Sequence, residues 1–100
     1  MDVYEVLAEP RRRRIIELVG ERERTAGEIG EALGISQPGA SQHLRTLREA
    51  GLLVVRKDAQ RRLYSLQPAK LAEVDAWLEP YRRLWIRRID ALVDHIMGDQ

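Results

Sequence analysis

The segment TAGEIGEALGISQPGASQHLRTL, Thr25 to Leu47, leaves this chain few ways to fold. Thr25 is a good N-cap, and Glu28 three residues later completes a capping box. Ile29, Ala32 and Leu33 then follow helical spacing and predict a short apolar stripe. Gly34 can adopt the left-handed conformation that ends a helix. Ile35 plugs the gap before a new N-cap, Ser36, and Pro38 sits in the next first turn, where proline is tolerated. Ala40, Leu44 and Leu47 recur at helical spacing and should face the core, and Gly51 closes this second helix. The layout is that of a helix-turn-helix, in which the second helix enters the DNA major groove.

The flanking segments complete one small domain over residues 1–100, with no internal repeat, low-complexity tract or long linker. Val3, Val6 and Leu7 predict a short first helix. Pro10 opens a second, with Ile15, Ile16, Leu18 and Val19 on its apolar side and Gly20 as its end. Arg11 to Arg14 form a basic run that reads either as a solvated patch or as a phosphate contact flanking the groove. After Gly51, Leu53 to Val55 and Leu63 to Leu66 have β propensity in whole or in part. Between them lies a charged turn, Arg56 to Arg62. This predicts a two-stranded hairpin, a wing, beside the reading helix. From Pro68 the pattern is helical again, and Pro80 should kink or briefly break it.

Charge is uneven although the net is only +1. Residues 1–35 carry six Arg and eight acids, for −2; residues 36–66 carry five Arg and one Lys against two acids, for +4; residues 67–100 carry five basic groups and six acids, for −1. The excess lies where the reading helix and wing sit, as expected of a DNA binder, although a solvated basic face has the same signature. The absence of cysteine excludes disulfides, thiolate metal sites and thiol switches. No apolar run approaches membrane-spanning length and no signal pattern opens the chain, so no membrane partner is expected and a cytoplasmic location is. No nucleophile–base pair, metal set or phosphate-binding glycine loop is present, so neither an enzyme nor a bound cofactor is expected.

With Ala40 as the core direction, about 100° per residue places Pro38, Gln42, Arg45 and Glu49 opposite it. Ser41 lies on a shoulder of that face, and Gln37 nearer the core side. The candidate DNA-reading set is therefore Ser36, Gln37, Pro38, Gly39, Ser41, Gln42, His43 and Arg45, with Arg61 and Arg62 from the wing. Gln pairs bidentately with adenine, Arg with guanine or phosphate, and Ser with either base or backbone. Arg61 and Arg62 suit phosphates or a narrow minor groove. His43, on the flank, reads equally as a structural histidine or as a DNA contact.

Leu71, Val74, Leu78, Tyr81 and Trp85 fall on one stripe that Leu92 and Ile96 continue; Trp77, Leu84 and Ile89 widen it. That is more apolar and aromatic area than so small a chain readily covers, and it favours an interchain helix bundle over packing within one chain. The candidate dimer interface is Val3, Leu7, Leu71, Val74, Trp77, Leu78, Tyr81, Leu84, Trp85, Ile89 and Leu92.

Three stretches, LAEPRRRRIIELV (Leu7 to Val19), TAGEIGEAL (Thr25 to Leu33) and SQPGASQHLRTLREAGL (Ser36 to Leu52), resemble the ArsR-type winged-helix transcriptional repressors. SQHLRTLREAGL is the most specific part, and the wing VRKDAQRRLYS fits as well. WLEPYRRLW, Trp77 to Trp85, is similar to a branch that regulates without a known metal, autorepressors included. The resemblance implies a mainly α fold with a small β-hairpin wing, in the order α-α-α-α-β-β-α, and a homodimer paired through its terminal helices. Many relatives sense metals through a Cys-x-Cys-type motif, which this chain lacks. Others hold zinc between terminal helices, where this chain offers Asp90, Asp94 and one His, His95, a poor set for a tetrahedral site. No metal is expected.

The expected function is a sequence-specific DNA-binding regulator, a homodimeric repressor on an inverted-repeat promoter site. The expected partners are double-stranded DNA and a second copy of the chain. Two other readings stay open: a winged-helix module that binds another protein, and a regulator responding to a small-molecule effector held between aromatic terminal helices.

Overall fold

A computed structural model describes residues 1–98. Five helices and one hairpin follow in order: α1 (Val3–Leu7), α2 (Pro10–Glu21), α3 (Ala26–Leu33), α4 (Gln37–Glu49), β1 (Leu53–Asp58), β2 (Arg61–Leu66) and α5 (Ala69–Gly98). The fold is mainly α with a small β-hairpin wing, in the expected order.

Local chemistry sets most boundaries. Asp2 caps α1 in a reciprocal box with Glu5, its Oδ1 accepting from the Glu5 N–H at 2.8 Å. Thr25 and Glu28 form the expected box at α3. The Glu28 carboxyl is held below its ordinary pKa, chiefly by the Thr25 N–H and next by Arg22. Ser36 caps α4, accepting from the Gly39 N–H at 3.2 Å. Both glycine stops adopt the left-handed region, Gly34 at φ 68° and Gly51 at φ 79°. Each closes a paired C-terminal motif. The Ile35 N–H reaches the Gly30 carbonyl at 3.0 Å, and the Leu52 N–H reaches the Leu47 carbonyl at 3.0 Å.

The core forms where α1 to α4 meet the base of the wing. Val6, Ile15, Ile29, Leu44, Leu47 and Leu52 are fully buried, and Val3, Val19, Ala40, Leu53 and Tyr64 close around them. Gly30 lets α3 and α4 approach closely. A Cβ there would lie 3.2 Å from the Ile35 carbonyl oxygen and 3.6 Å from Ala40 Cβ. Ala32, expected on the buried stripe, is exposed, and Gly30 takes that contact instead.

Several expectations are corrected. Gly20 does not end α2; the helix runs to Glu21, and Arg22 leaves it in extended backbone. The cause lies far away in sequence: Arg24 joins Tyr64 in an isolated antiparallel bridge, with N···O distances of 3.1 and 2.8 Å, which pulls the chain out straight. The strands of the wing run further than expected. Arg56 to Asp58 pair with Arg61 to Leu63, leaving a two-residue turn, Ala59-Gln60. In the Arg11 to Arg14 run, Arg12 Nε donates to the Val6 carbonyl at 2.9 Å and Arg13 Nη1 to the Leu7 carbonyl at 2.7 Å. These two arginines therefore satisfy the open C-terminal end of α1, where cations and donors are favoured.

α5 is one continuous helix of 30 residues with Pro80 inside it, so of the kink or short break expected there, the break does not occur. Pro80 has no N–H to donate to the preceding turn. In the same stretch Arg82 folds back, donating to both the carbonyl and the carboxylate of Asp75. Leu71 and Val74 pack against the core, and Trp77 meets Tyr4 edge-on, with ring centroids 5.9 Å apart. Beyond that point the helix leaves the body of the chain. The radius of gyration is 18.6 Å, against about 13 Å for a compact domain of this size. Among the described residues, no helix is long and apolar enough to cross a membrane.

Candidate nucleic-acid interface

The outer side of α4 is set by its inner side. Ala40, Leu44 and Leu47 are locked in the core, so helical periodicity leaves Gln37, Pro38, Ser41, Gln42 and Arg45 exposed, as the spacing predicts. Ser36 stands exposed as the N-cap, with Gly39 half-buried behind its hydroxyl. His43 is half-buried on the flank. Arg45 lies along the helix surface, its Nε 3.3 Å from Glu49. Both side chains are well exposed, so this pair holds the guanidinium only loosely.

Wing and helix tip face one another across an open groove. It is lined by Gln37 and Ser41 from α4, by Arg61, Arg62 and Tyr64 from the wing, and by Thr25, Ala26 and Gly27 from the start of α3. The structure thus brings Gln37, Ser41, Arg61 and Arg62 to one groove. Gln42 and Arg45 lie on the exposed outer face of α4, outside its lining. Sequence reading misses Thr25, Ala26, Gly27 and the turn residue Gln60 as parts of this surface. Thr25 carries only a capping signal, and nothing local says that the start of α3 faces the wing. Arg61 pairs with Asp58 at 2.9 Å across the turn.

The turn itself is strained. Ala59 sits at φ 56°, where its Cβ crowds the backbone. Ala59→Gly is expected to stabilise the chain by up to about 1 kcal/mol, partly offset by the greater freedom of glycine when unfolded. Urea unfolding should show a higher midpoint with an unchanged slope; a lower midpoint would mean that the turn carries no strain worth relieving.

One long-range ion pair anchors the wing. Arg56 Nε and Nη2 reach the two Glu23 carboxylate oxygens at 2.8 and 3.0 Å. The bidentate geometry holds the Glu23 carboxyl below its ordinary pKa and raises that of Arg56, in each case mainly through the hydrogen bond between them.

The residues expected at an interface divide in two. Val3 is buried within its own chain, and Leu7, Leu71 and Val74 are half-buried against the same core. Val3 is therefore committed to packing inside the chain and has almost no surface left for a partner. Trp77, Leu78, Tyr81, Leu84, Trp85, Ile89 and Leu92 are all exposed, Trp85 by 67%. Ile86, Val93, Ile96 and Met97 extend that apolar surface. Among the described residues, no three His, Cys, Asp or Glu side chains gather closely enough to hold a metal ion.

Four helices, a two-stranded wing and an exposed polar helix face beside that wing define a winged helix-turn-helix. The helix-turn-helix domain family matches residues 7–56. The transcriptional repressor SdpR of Bacillus subtilis is 32% identical over 77 residues, covering 77% of this chain and 86% of SdpR. The regulator Rv0081 of Mycobacterium tuberculosis is 36% identical over 74 residues, 73% of this chain, and the chain spans only 65% of its length. Among solved structures, a possible transcriptional regulator for arsenical resistance shares 41% identity at a TM-score of 0.71, covering 91% of this chain and 92% of that one. The homodimeric winged helix-turn-helix DNA-binding domain Mb0332 of Mycobacterium bovis, a possible ArsR-family regulator, shares 28% identity at a TM-score of 0.66, over 81% of this chain and 75% of that one. This chain belongs to the ArsR-type winged helix-turn-helix transcriptional regulators.

Proposed function

We propose that the chain is a homodimeric repressor that reads an inverted-repeat promoter site and blocks transcription by occupying it. The observation that carries this reading is the polar face of α4 standing beside Arg61 and Arg62 across one open groove. A helix tip of Gln and Ser can read base edges while flanking arginines hold phosphates. The similarity to SdpR, a repressor, supports the sense of regulation. The exposed apolar length of α5 and the likeness to a homodimeric domain support pairing. Two copies would set their α4 helices about one DNA turn apart, or a multiple of it, and footprint with dyad symmetry. The whole of residues 1–100 acts in this reading as one DNA-binding unit that catalyses no reaction and works in the cytoplasm.

The test separates base reading from phosphate binding. A duplex is selected from a random pool by the wild-type protein, and binding is measured on it and on a scrambled duplex at several salt concentrations. Gln42→Ala should cost about 1–3 kcal/mol on the selected duplex and little on the scrambled one. Arg62→Ala should weaken both and lower the salt slope by about one unit. Equal losses on both duplexes for Gln42→Ala would show that this side chain reads no base.

A further inference from the structure

Glu23 and Arg56 stand out from the rest of the surface charges. Every other ion pair shown among the described residues joins side chains within seven positions of each other; this one spans 33. It also ties together two segments whose relative position matters. Arg56 lies on β1, directly opposite Leu63 of β2, so both side chains share one face of the wing. Arg24 is paired with Tyr64 at the outer edge of β2, which puts Glu23, one residue earlier, on the face of Arg56. The ion pair therefore crosses β2 from the edge to β1, and the backbone bridge holds the edge itself. Immediately after this strap comes Thr25, the start of α3, which lines the groove between the wing and α4.

We propose that Glu23 and Arg56 are positioning residues for DNA binding: they hold the wing at the angle that lets Arg61 and Arg62 reach the duplex while α4 lies in the groove. The inference rests on the DNA-reading role proposed above. Its sign is unusual. Glu23 is an acid next to a surface that binds a polyanion, so simple electrostatics makes its removal favourable to binding. A strap makes its removal unfavourable, because a loosened wing must be ordered again on the duplex. An exposed pair contributes modestly, so the expected loss is about three- to fivefold in affinity.

The experiment uses the full chain, a duplex selected from a random pool by the wild-type protein, and titrations over a range of salt. Glu23→Gln should bind about three- to fivefold more weakly, with a salt slope equal to that of the wild type. Arg56→Gln should match it in affinity and in slope, and Arg56→Lys should recover part of the loss. The charge-swapped double variant, Glu23→Arg with Arg56→Glu, should bind better than either of its single changes. Unfolding of Glu23→Gln, followed by circular dichroism, should show it fully folded at the assay temperature. Equal or tighter binding by Glu23→Gln overturns the inference and leaves DNA reading standing. A salt slope lowered by about one unit in Arg56→Gln, with Glu23→Gln unchanged, makes Arg56 a direct phosphate ligand and likewise overturns it. Failure of the wild-type chain to select any duplex overturns the DNA-reading role, and this inference falls with it.

Discussion

Ile89→Glu is expected to convert the proposed dimer to a monomer at micromolar concentration while leaving the helical content of each chain intact. Ile89 lies on the apolar stripe of α5, half exposed, in the stretch that projects past the Tyr4–Trp77 contact. Nothing in its own chain buries it, so a carboxylate there costs the monomer little. In a two-fold pair every change enters twice, at self-complementary surfaces. Two carboxylates would have to be desolvated without partners, at several kcal/mol each, or the helices must separate. A net loss of about 5 kcal/mol weakens pairing by more than about a thousandfold. Binding to the proposed inverted-repeat site should fall with it, because two half-sites would no longer be held by one particle. Analytical sedimentation of variant and wild type gives the answer. A wild type that sediments as a monomer, or a variant that stays dimeric, would remove α5 from the interface.

Leu47→Ala is expected to cost about 2–5 kcal/mol of stability. Leu47 is completely buried, on the inner side of α4, and its carbonyl receives the Leu52 N–H that ends the helix. Truncation removes the transfer energy of the side chain and leaves a cavity beneath α4. For a domain with about 5–15 kcal/mol in total, that is a large share. Urea unfolding at fixed protomer concentration should show a much lower midpoint with the slope retained, whereas Gln42→Ala, on the opposite side of the same helix, should stay within about 0.5 kcal/mol of wild type. A loss below about 1 kcal/mol for Leu47→Ala would mean that the site collapses around the missing atoms.

The contrast between Leu47 and Gln42 is legible in the amino-acid sequence, because both sides of α4 follow from one helical period. The same holds for Thr25, Gly34, Ser36 and Gly51, whose roles depend on neighbours within four residues. The wing is legible as a hairpin, but its length is not. Arg56, Lys57, Arg61 and Arg62 look like turn residues by composition, yet they pair as strands, because antiparallel hydrogen bonds continue as long as both strands stay straight. Pro80 reads as a kink or a short break because local propensity disfavours helix at the residue before it. The structure keeps the helix, which continues on both sides of the proline, with Arg82 bonded back to Asp75 nearby.

What the sequence determined by itself was whatever is decided within a turn or two of chain: the helix-turn-helix, its caps, the inner and outer sides of α4, the presence of a wing and the apolar stripe of α5. Which distant segments meet was settled by packing. It put Val3 inside the chain's own core, turned Arg12 and Arg13 into caps for α1, drew Arg24 into the sheet beside Tyr64 and locked Glu23 to Arg56. The reason is physical. Capping and periodicity act over a few residues of known geometry, whereas a long-range contact depends on where the rest of the chain packs, and no local spacing records that.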